Sequence, residues 1–173
     1  MLLTVSKRLE FSASRRLFVK EWSDAENLAI FGPETSARYG TGRNYVAYFI
    51  FSGAVDPETG MLMNISEIKE RVGHVLREGF DHKFLNEDNK AFANMPPTTE
   101  NIARQLFLDA APLFNASSAT LVACHLSESE ERSATAAANN NRTRTQTSGG
   151  GVAQVARGFG VPKDGLLSAF RNL

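Results

Sequence analysis

Residues 45–55, YVAYFIFSGAV, most limit what this chain can fold into. β-branched and aromatic side chains dominate the run, and it halts at Asp56-Pro57-Glu58-Thr59-Gly60, a strong turn sequence. This pattern predicts a central β-strand, and a central strand needs other elements to cover its apolar side chains. The run is entered through Gly40-Thr41-Gly42-Arg43-Asn44-Tyr45, which reads as a glycine-spaced turn at the end of a loop starting at Phe31. Such a turn would deliver the side chains of Thr41 and Arg43 to one spot.

Residues 2–11 alternate imperfectly through Leu3, Val5, Leu9 and Phe11 and predict a first, half-buried strand. Residues 12–44 show no sustained period and predict a long excursion of the kind that carries function. Asn64 precedes Glu67 by three residues, resembling a capping box, and Ile65, Ile68, Val72, Val75 and Leu76 follow at helical spacing, giving a helix over about 65–77. A second stripe, Ile102, Ala103, Leu106, Phe107, Ala110 and Ala111, is capped by Thr98 or Thr99 and closed by Pro112. Residues 118–127 alternate through Leu121 and Ala123 as a third strand. The order of these elements predicts an α+β fold with two helices on one face of an antiparallel sheet. So small a sheet has exposed edges, and pairing between subunits is the expected remedy.

Beyond Glu131 the chain turns to alanine, then to Asn, Thr/Arg and Gly runs, so residues 1–135 are expected to form the domain and 136–151 a flexible linker. Residues 152–173 regain Val155, Phe159, Leu166, Leu167 and Phe170, enough for a short docking element. A chain of 173 residues fits one well-buried core. Its 19 Lys and Arg balance 19 Asp and Glu, which gives no reason to expect nucleic acid or an anionic membrane as partner. The lone Cys124, the absence of a secretory leader pattern and the lack of an apolar run near the roughly 20 residues of a membrane span point to the cytoplasm.

Of the three histidines, His74 falls on the first predicted helix and His125 on the third strand, where structural or surface roles are the expectation. His82 follows Asp81 in a loop, which places a titratable base beside an acid that could orient it. Glu128 stands among Glu130, Glu131 and Arg132 and fits either a solvated charged turn or an anchoring carboxylate at a strand end. A carboxylate in the second role can accept two parallel hydrogen bonds from an amidine-like edge such as that of a pterin or guanine.

Seven segments in order, Phe11 to Leu17 (FSASRRL), Phe31-Gly32, Gly40 to Tyr45 (GTGRNY), Asp56 to Met61, Asp81 to Asn86 (DHKFLN), Pro97 to Ala103 (PTTENIA) and Ser127-Glu128-Ser129, resemble the 6-pyruvoyl- and 6-carboxy-tetrahydropterin synthase family over about residues 4–135. The resemblance implies the tunnelling fold, with subunits joined into barrels, usually as a hexamer of two trimers. It implies an active site between subunits that takes a dihydroneopterin-like substrate and holds zinc through three histidines. In this chain Arg15, Thr41 and Arg43 stand at those three positions, and an arginine stays protonated and is no zinc ligand, so no metal or other cofactor is expected. The family's catalytic cysteine is also absent, with Glu34 or Thr35 in its place. Asp81 and His82 match the family's catalytic Asp-His pair, Glu128 its pterin-anchoring glutamate, and Thr99 lies in a segment lining the pterin pocket.

Three functions follow as expectations. The chain binds a pterin without zinc, with Glu128 on the amidine edge and Arg15 and Arg43 in the vacated metal position, paired with Glu34 or with an anionic group of the ligand. Alternatively it is a metal-free lyase or isomerase using Asp81 and His82, or a scaffold that partners a catalytic paralogue.

Overall fold

The structure is a computed structural model and describes residues 2–138. The chain runs from strand β1 (Leu3–Arg15) through helix α1 (Asp24–Phe31) and a 3-10 turn (Gly32–Ser36) to strand β2 (Thr41–Gly53). Helix α2 (Ile65–Gly79), the two-residue strand β3 (Lys83–Phe84), the single-turn helix α3 (Leu85–Asp88) and helix α4 (Thr99–Ala110) follow, then strands β4 (Ala119–Ser127) and β5 (Ser133–Ala137). The sheet order is β3-β1-β2-β4-β5. All neighbours are antiparallel except β3, which joins β1 in parallel through Ala13 and Ser14.

The 45–55 run is the middle of this sheet. Tyr45, Ala47, Phe49 and Phe51 all point inward and are fully buried, as the two-residue period of a strand requires. α2 covers β1 with Ile68, Val72 and Leu76, α4 covers β4 and β5 with Ile102, Ala103, Leu106 and Ala110, and the two helices touch each other. Each fully buried Leu, Ile or Phe contributes about 1.5–3 kcal/mol. Among the described residues no helix is long and apolar enough to cross a membrane.

Several elements differ from the sequence reading, each for a physical reason. β1 runs on to Arg15 because Ser12–Arg15 find ladder partners in Thr41–Asn44, and the same pairing makes 41–44 strand, so the expected turn ends at Gly40. In β4, Ile50 pairs with Ala123 and Phe51 with Leu121, which leaves Val122 as a bulge. The inward set therefore changes parity from Ala119 and Leu121 to Cys124 and Leu126, and Ala123 does not face the core. The α2 N-terminus is capped by Asn64, whose side chain accepts from the Ser66 amide at 2.9 Å, but Glu67 ion-pairs with Arg71 at 2.7 Å and closes no capping box. The complete capping box belongs to α1, between Ser23 and Glu26. Ala136 and Ala137, placed in the linker by composition, end β5. The rest of the linker from residue 139 and the docking element at 152–173 lie outside the described residues.

Candidate functional site

The site lies where β1 and β2 end together. Register sets Arg15 opposite Thr41 and Ala13 opposite Arg43, so positions 15, 41 and 43 continue the inward row of Phe11 and Tyr45. The junction is tight at Gly40, which has φ +75° and where a Cβ would stand 2.7 Å from the Phe84 ring and 2.9 Å from the Arg15 carbonyl oxygen. Glycine is the residue that fits both constraints.

Glu128 enters from β4. It opens the β4–β5 turn, where its amide donates to the Arg132 carbonyl at 2.9 Å. Its neighbours Glu130 and Glu131 are solvated, whereas its own side chain is 3% exposed. On Oε2 it accepts from Arg15 Nη2 at 2.5 Å and from the Thr99 hydroxyl at 2.5 Å, and on Oε1 from Arg43 Nε at 3.0 Å and Arg132 Nη1 at 3.3 Å. Thr99 is free for this because Thr98 is the N-cap of α4, its hydroxyl accepting from the Asn101 amide. Arg15, only 1% exposed, also donates through Nη1 to the Pro97 carbonyl at 3.0 Å, and its Nε has no hydrogen-bond partner among the described residues.

Arg43 links this buried pair to the surface. Its Nη2 ion-pairs with Glu34, carried by the 3-10 turn, and its Nη1 donates to the Gly42 carbonyl at 3.1 Å. The Thr35 carbonyl instead accepts from Arg16. Of the two residues named for the missing cysteine, Glu34 is thus the one whose side chain reaches the cluster. Burial alone would push the Glu128 carboxyl up, but the Thr99 hydroxyl, the Arg15 charge and the Arg43 hydrogen bond outweigh it and hold it below its ordinary value. The Arg43 guanidinium is held further toward its charged form, first by the hydrogen bond to Glu128. Burial pushes the Tyr45 hydroxyl up to about 12.

Arg15, Arg43, Glu34, Thr99 and Glu128, all named from the sequence, therefore meet in one cluster. Asp81 and His82 lie against β1 at Ser12 and make none of the contacts of this cluster. Asp81 accepts from the Ser12 amide at 2.9 Å, and the His82 amide donates to the Ser12 carbonyl at 2.6 Å with φ at +56°. The His82 ring is 84% exposed and its Nε2 lies 3.7 Å from Asp81 Oδ2, too far for a hydrogen bond, so the two are juxtaposed without forming a dyad. His82 lines an open cleft of about 610 Å³ together with Ser12, Ser14, Arg43, Asn44 and Lys83. His125 lies on β4, where its Nδ1 is 2.8 Å from the Thr135 hydroxyl, away from this cleft.

The donor chemistry at positions 15, 41 and 43 does not suit zinc. A guanidinium has no lone pair to give, and a single threonine hydroxyl is no replacement for imidazole or thiolate. Among the described residues no group of three or more His, Cys, Asp and Glu side chains is placed to hold a metal ion. Sequence reading missed Arg132, the Pro97 carbonyl and Lys83. Arg132 carried a signal in its spacing of four from Glu128, and Lys83 in its position next to the Asp81-His82 pair.

The comparisons with known proteins bear on the family and the fold. The family model described as 6-pyruvoyl tetrahydropterin synthase matches residues 4–139. The 6-pyruvoyl tetrahydrobiopterin synthase of Drosophila melanogaster is 43% identical over 99 residues, which are 57% of this chain and 58% of that protein. The Homo sapiens protein of the same description is 42% identical over 99 residues, covering 57% of this chain and 68% of that protein. The matched stretch thus spans little more than half of the Drosophila relative. The solved 6-pyruvoyl tetrahydropterin synthase of Caenorhabditis elegans superposes with a TM-score of 0.74 at 30% identity, over 80% of this chain and 97% of that one. A family model spanning nearly the whole described fold, and a shared architecture at that identity, leave one assignment: the chain belongs to the 6-pyruvoyl tetrahydropterin synthase family.

Proposed function

We propose that this chain binds a pterin at Glu128 and serves in pterin metabolism without a resident zinc ion. The support is Glu128 itself: a nearly buried carboxylate at a strand end, held in its ionised form by the hydroxyl and guanidinium groups around it. An ionised carboxylate recognises an amidine edge through paired N–H···O bonds, and burial strengthens those bonds by excluding water. Arg15, Thr41 and Arg43, standing where the family resemblance expects histidines, replace a metal with fixed positive charge. Arg15 and Arg43 then balance Glu128 and Glu34, and this ionic cluster ties β1, β2, β4 and the 3-10 turn together.

Assembly belongs to the same proposal. Among the described residues β5 is the terminal strand and β1 has a neighbour on its outer side only at Ala13 and Ser14, so both edges offer backbone groups to other subunits. A hexamer of two trimers, as the resemblance implies, would use them. A second reading, metal-free proton transfer by His82 with Asp81, is favoured by one observation: His82 lines the same cleft as Arg43.

Thermal unfolding with and without a dihydropterin tests the binding. Stabilisation of the wild type, lost in Glu128→Ala, is the expected result, and no shift with any of a panel of pterins would refute it. Product analysis of the same samples, with metal content measured, separates the second reading. Turnover by zinc-free protein that vanishes in His82→Ala would establish it.

A further inference from the structure

The chain enters β2 through a tight turn. The Gly40 amide donates to the Ala37 carbonyl at 2.9 Å, which leaves Arg38 and Tyr39 as the two central residues. Gly40 fixes the base of this turn, at φ +75° and with no room for a side chain beside the Phe84 ring and the Arg15 carbonyl. Tyr39 is 79% exposed, more than any other large apolar or aromatic side chain among the described residues. The Arg38 guanidinium lies 5.4 Å from the Tyr39 ring centroid and makes no ion pair among the described residues. A rigid tip thus holds an aromatic ring and a cation together in solvent. One exposed aromatic is ordinary, and it gains meaning only from a recess that matches it.

Such a recess, of about 210 Å³, lies between the segment after β1 and the segment before α4. Phe18, Phe92, Met95 and Pro96 give it apolar walls. Glu21 and Glu87 line it as exposed carboxylates that make no ion pair among the described residues. Its cation, Lys20, is engaged within the wall, donating to the Ala93 carbonyl and the Asn94 side-chain oxygen. The walls are preformed. Asn86 bonds both the amide and the carbonyl of Arg16, at 2.8 and 2.9 Å, and Asn27 does the same for Val19, at 2.7 and 3.0 Å. Neither Arg38 nor Tyr39 lines the recess, so the chain does not fill it with its own tip.

We propose that the Arg38-Tyr39 tip of one copy of this chain docks in the recess of a second copy. The Tyr39 ring packs against Phe18, Phe92, Met95 and Pro96, and the Arg38 guanidinium meets Glu21 and Glu87. Tyrosine and arginine seated in a pocket are the side chains that dominate interface energies, and the opposite charges fix how the tip enters. Tip and recess are different surfaces of one chain, so the contact is heterologous and closes a ring when repeated. It also joins two ionic corners. Gly40, next to the tip, packs on the Arg15 carbonyl of its own copy, and Pro96 precedes the Pro97 carbonyl that holds the Arg15 side chain of the other. The contact is additional to the edge pairing proposed above and rests on that reading only in requiring more than one copy.

Analytical ultracentrifugation of the full chain, with disulfide trapping, tests it. Tyr39→Ser should raise the subunit dissociation constant by about tenfold or more with an unchanged far-UV CD spectrum, whereas Tyr39→Phe should keep it within about twofold. Glu21→Lys with Glu87→Lys should weaken association, and adding Arg38→Glu to that pair should restore it; failure to restore overturns the charge pairing. The lone Cys124 is fully buried, so Tyr39→Cys protein co-expressed with Ala93→Cys protein should give a cross-linked dimer under mild oxidation that neither gives alone. An assembled wild type whose association is unchanged in Tyr39→Ser, with no mixed cross-link, overturns this contact and leaves edge pairing standing. A monomeric wild type overturns both.

Discussion

Replacing Arg15 by methionine removes a charge that is 1% exposed while keeping most of the side-chain volume. Breaking a buried ion pair by removing one partner costs about 3–5 kcal/mol. Glu128 would still have Thr99, Arg43 and Arg132, so its charge would not be stranded, and Arg15→Met belongs near the lower end, about 3 kcal/mol. Glu128→Gln leaves Arg15 with neutral acceptors only, the Pro97 carbonyl and the Thr99 hydroxyl, and arginine cannot shed its proton. It belongs near the upper end, about 5 kcal/mol. The double variant removes both buried charges and should be less destabilised than the sum of the singles by about 2–3 kcal/mol. Urea unfolding at neutral pH, with unchanged m values, measures all three.

Acid supplies a second readout of the same pair. Because the Glu128 carboxyl is held below its ordinary value, its contribution is fully present above the unfolded carboxylate range, about pH 4.3, and is lost as the pH falls through the folded value. The wild type should therefore lose stability faster than Glu128→Gln in that window. Additivity of the two substitutions within about 0.5 kcal/mol, together with parallel acid limbs, would show that the pair is not coupled and refute the reasoning.

Gly40→Ala should cost more than the roughly 1–2 kcal/mol of a left-handed alanine, because the new Cβ would also meet the Phe84 ring and the Arg15 carbonyl; an unchanged melting midpoint would contradict the tight junction. The triple variant Arg15→His, Thr41→His, Arg43→His puts three imidazoles on one face at the β1–β2 end, the number of protein ligands a catalytic zinc takes. It should retain about one zinc per chain through gel filtration and be stabilised by added zinc, while the wild type is not; a folded triple variant that retains none would contradict the placement.

The centre of the fold was legible because β2 is written in large apolar side chains at a two-residue period, and α2 and α4 in apolar stripes. What escaped was written in smaller or polar residues. β5 is Ser-Ala-Thr-Ala-Ala, and its Ala134 and Ala136 count as core only because they pack against buried neighbours. α1 has no apolar stripe; its buried residue is Asn27, which ties the loop by accepting from the Val19 amide at 2.7 Å and donating to the Val19 carbonyl at 3.0 Å. Arg15 sits on an inward row that composition would reserve for apolar side chains. Its counter-charge is 113 residues away along the chain, so no local window could show that the position is satisfied. The residues of the cluster were named through their motifs and the Arg43–Glu34 pair was among the expected pairings, but the pairing of both arginines with Glu128 was not, since it depends on register and on the end of β4.

That pairing decides how the site can change. Two guanidinium groups from adjacent strands cannot be brought to one inner corner unless carboxylates come with them, because uncompensated like charges away from water are strongly unfavourable. Glu128 and Glu34 supply two negative charges against the two of Arg15 and Arg43, and Arg132 adds its charge only from the solvated rim. The corner therefore folds with two arginines only because Glu128 and Glu34 come with them, and loss of either carboxylate should cost more than loss of the exposed Arg132.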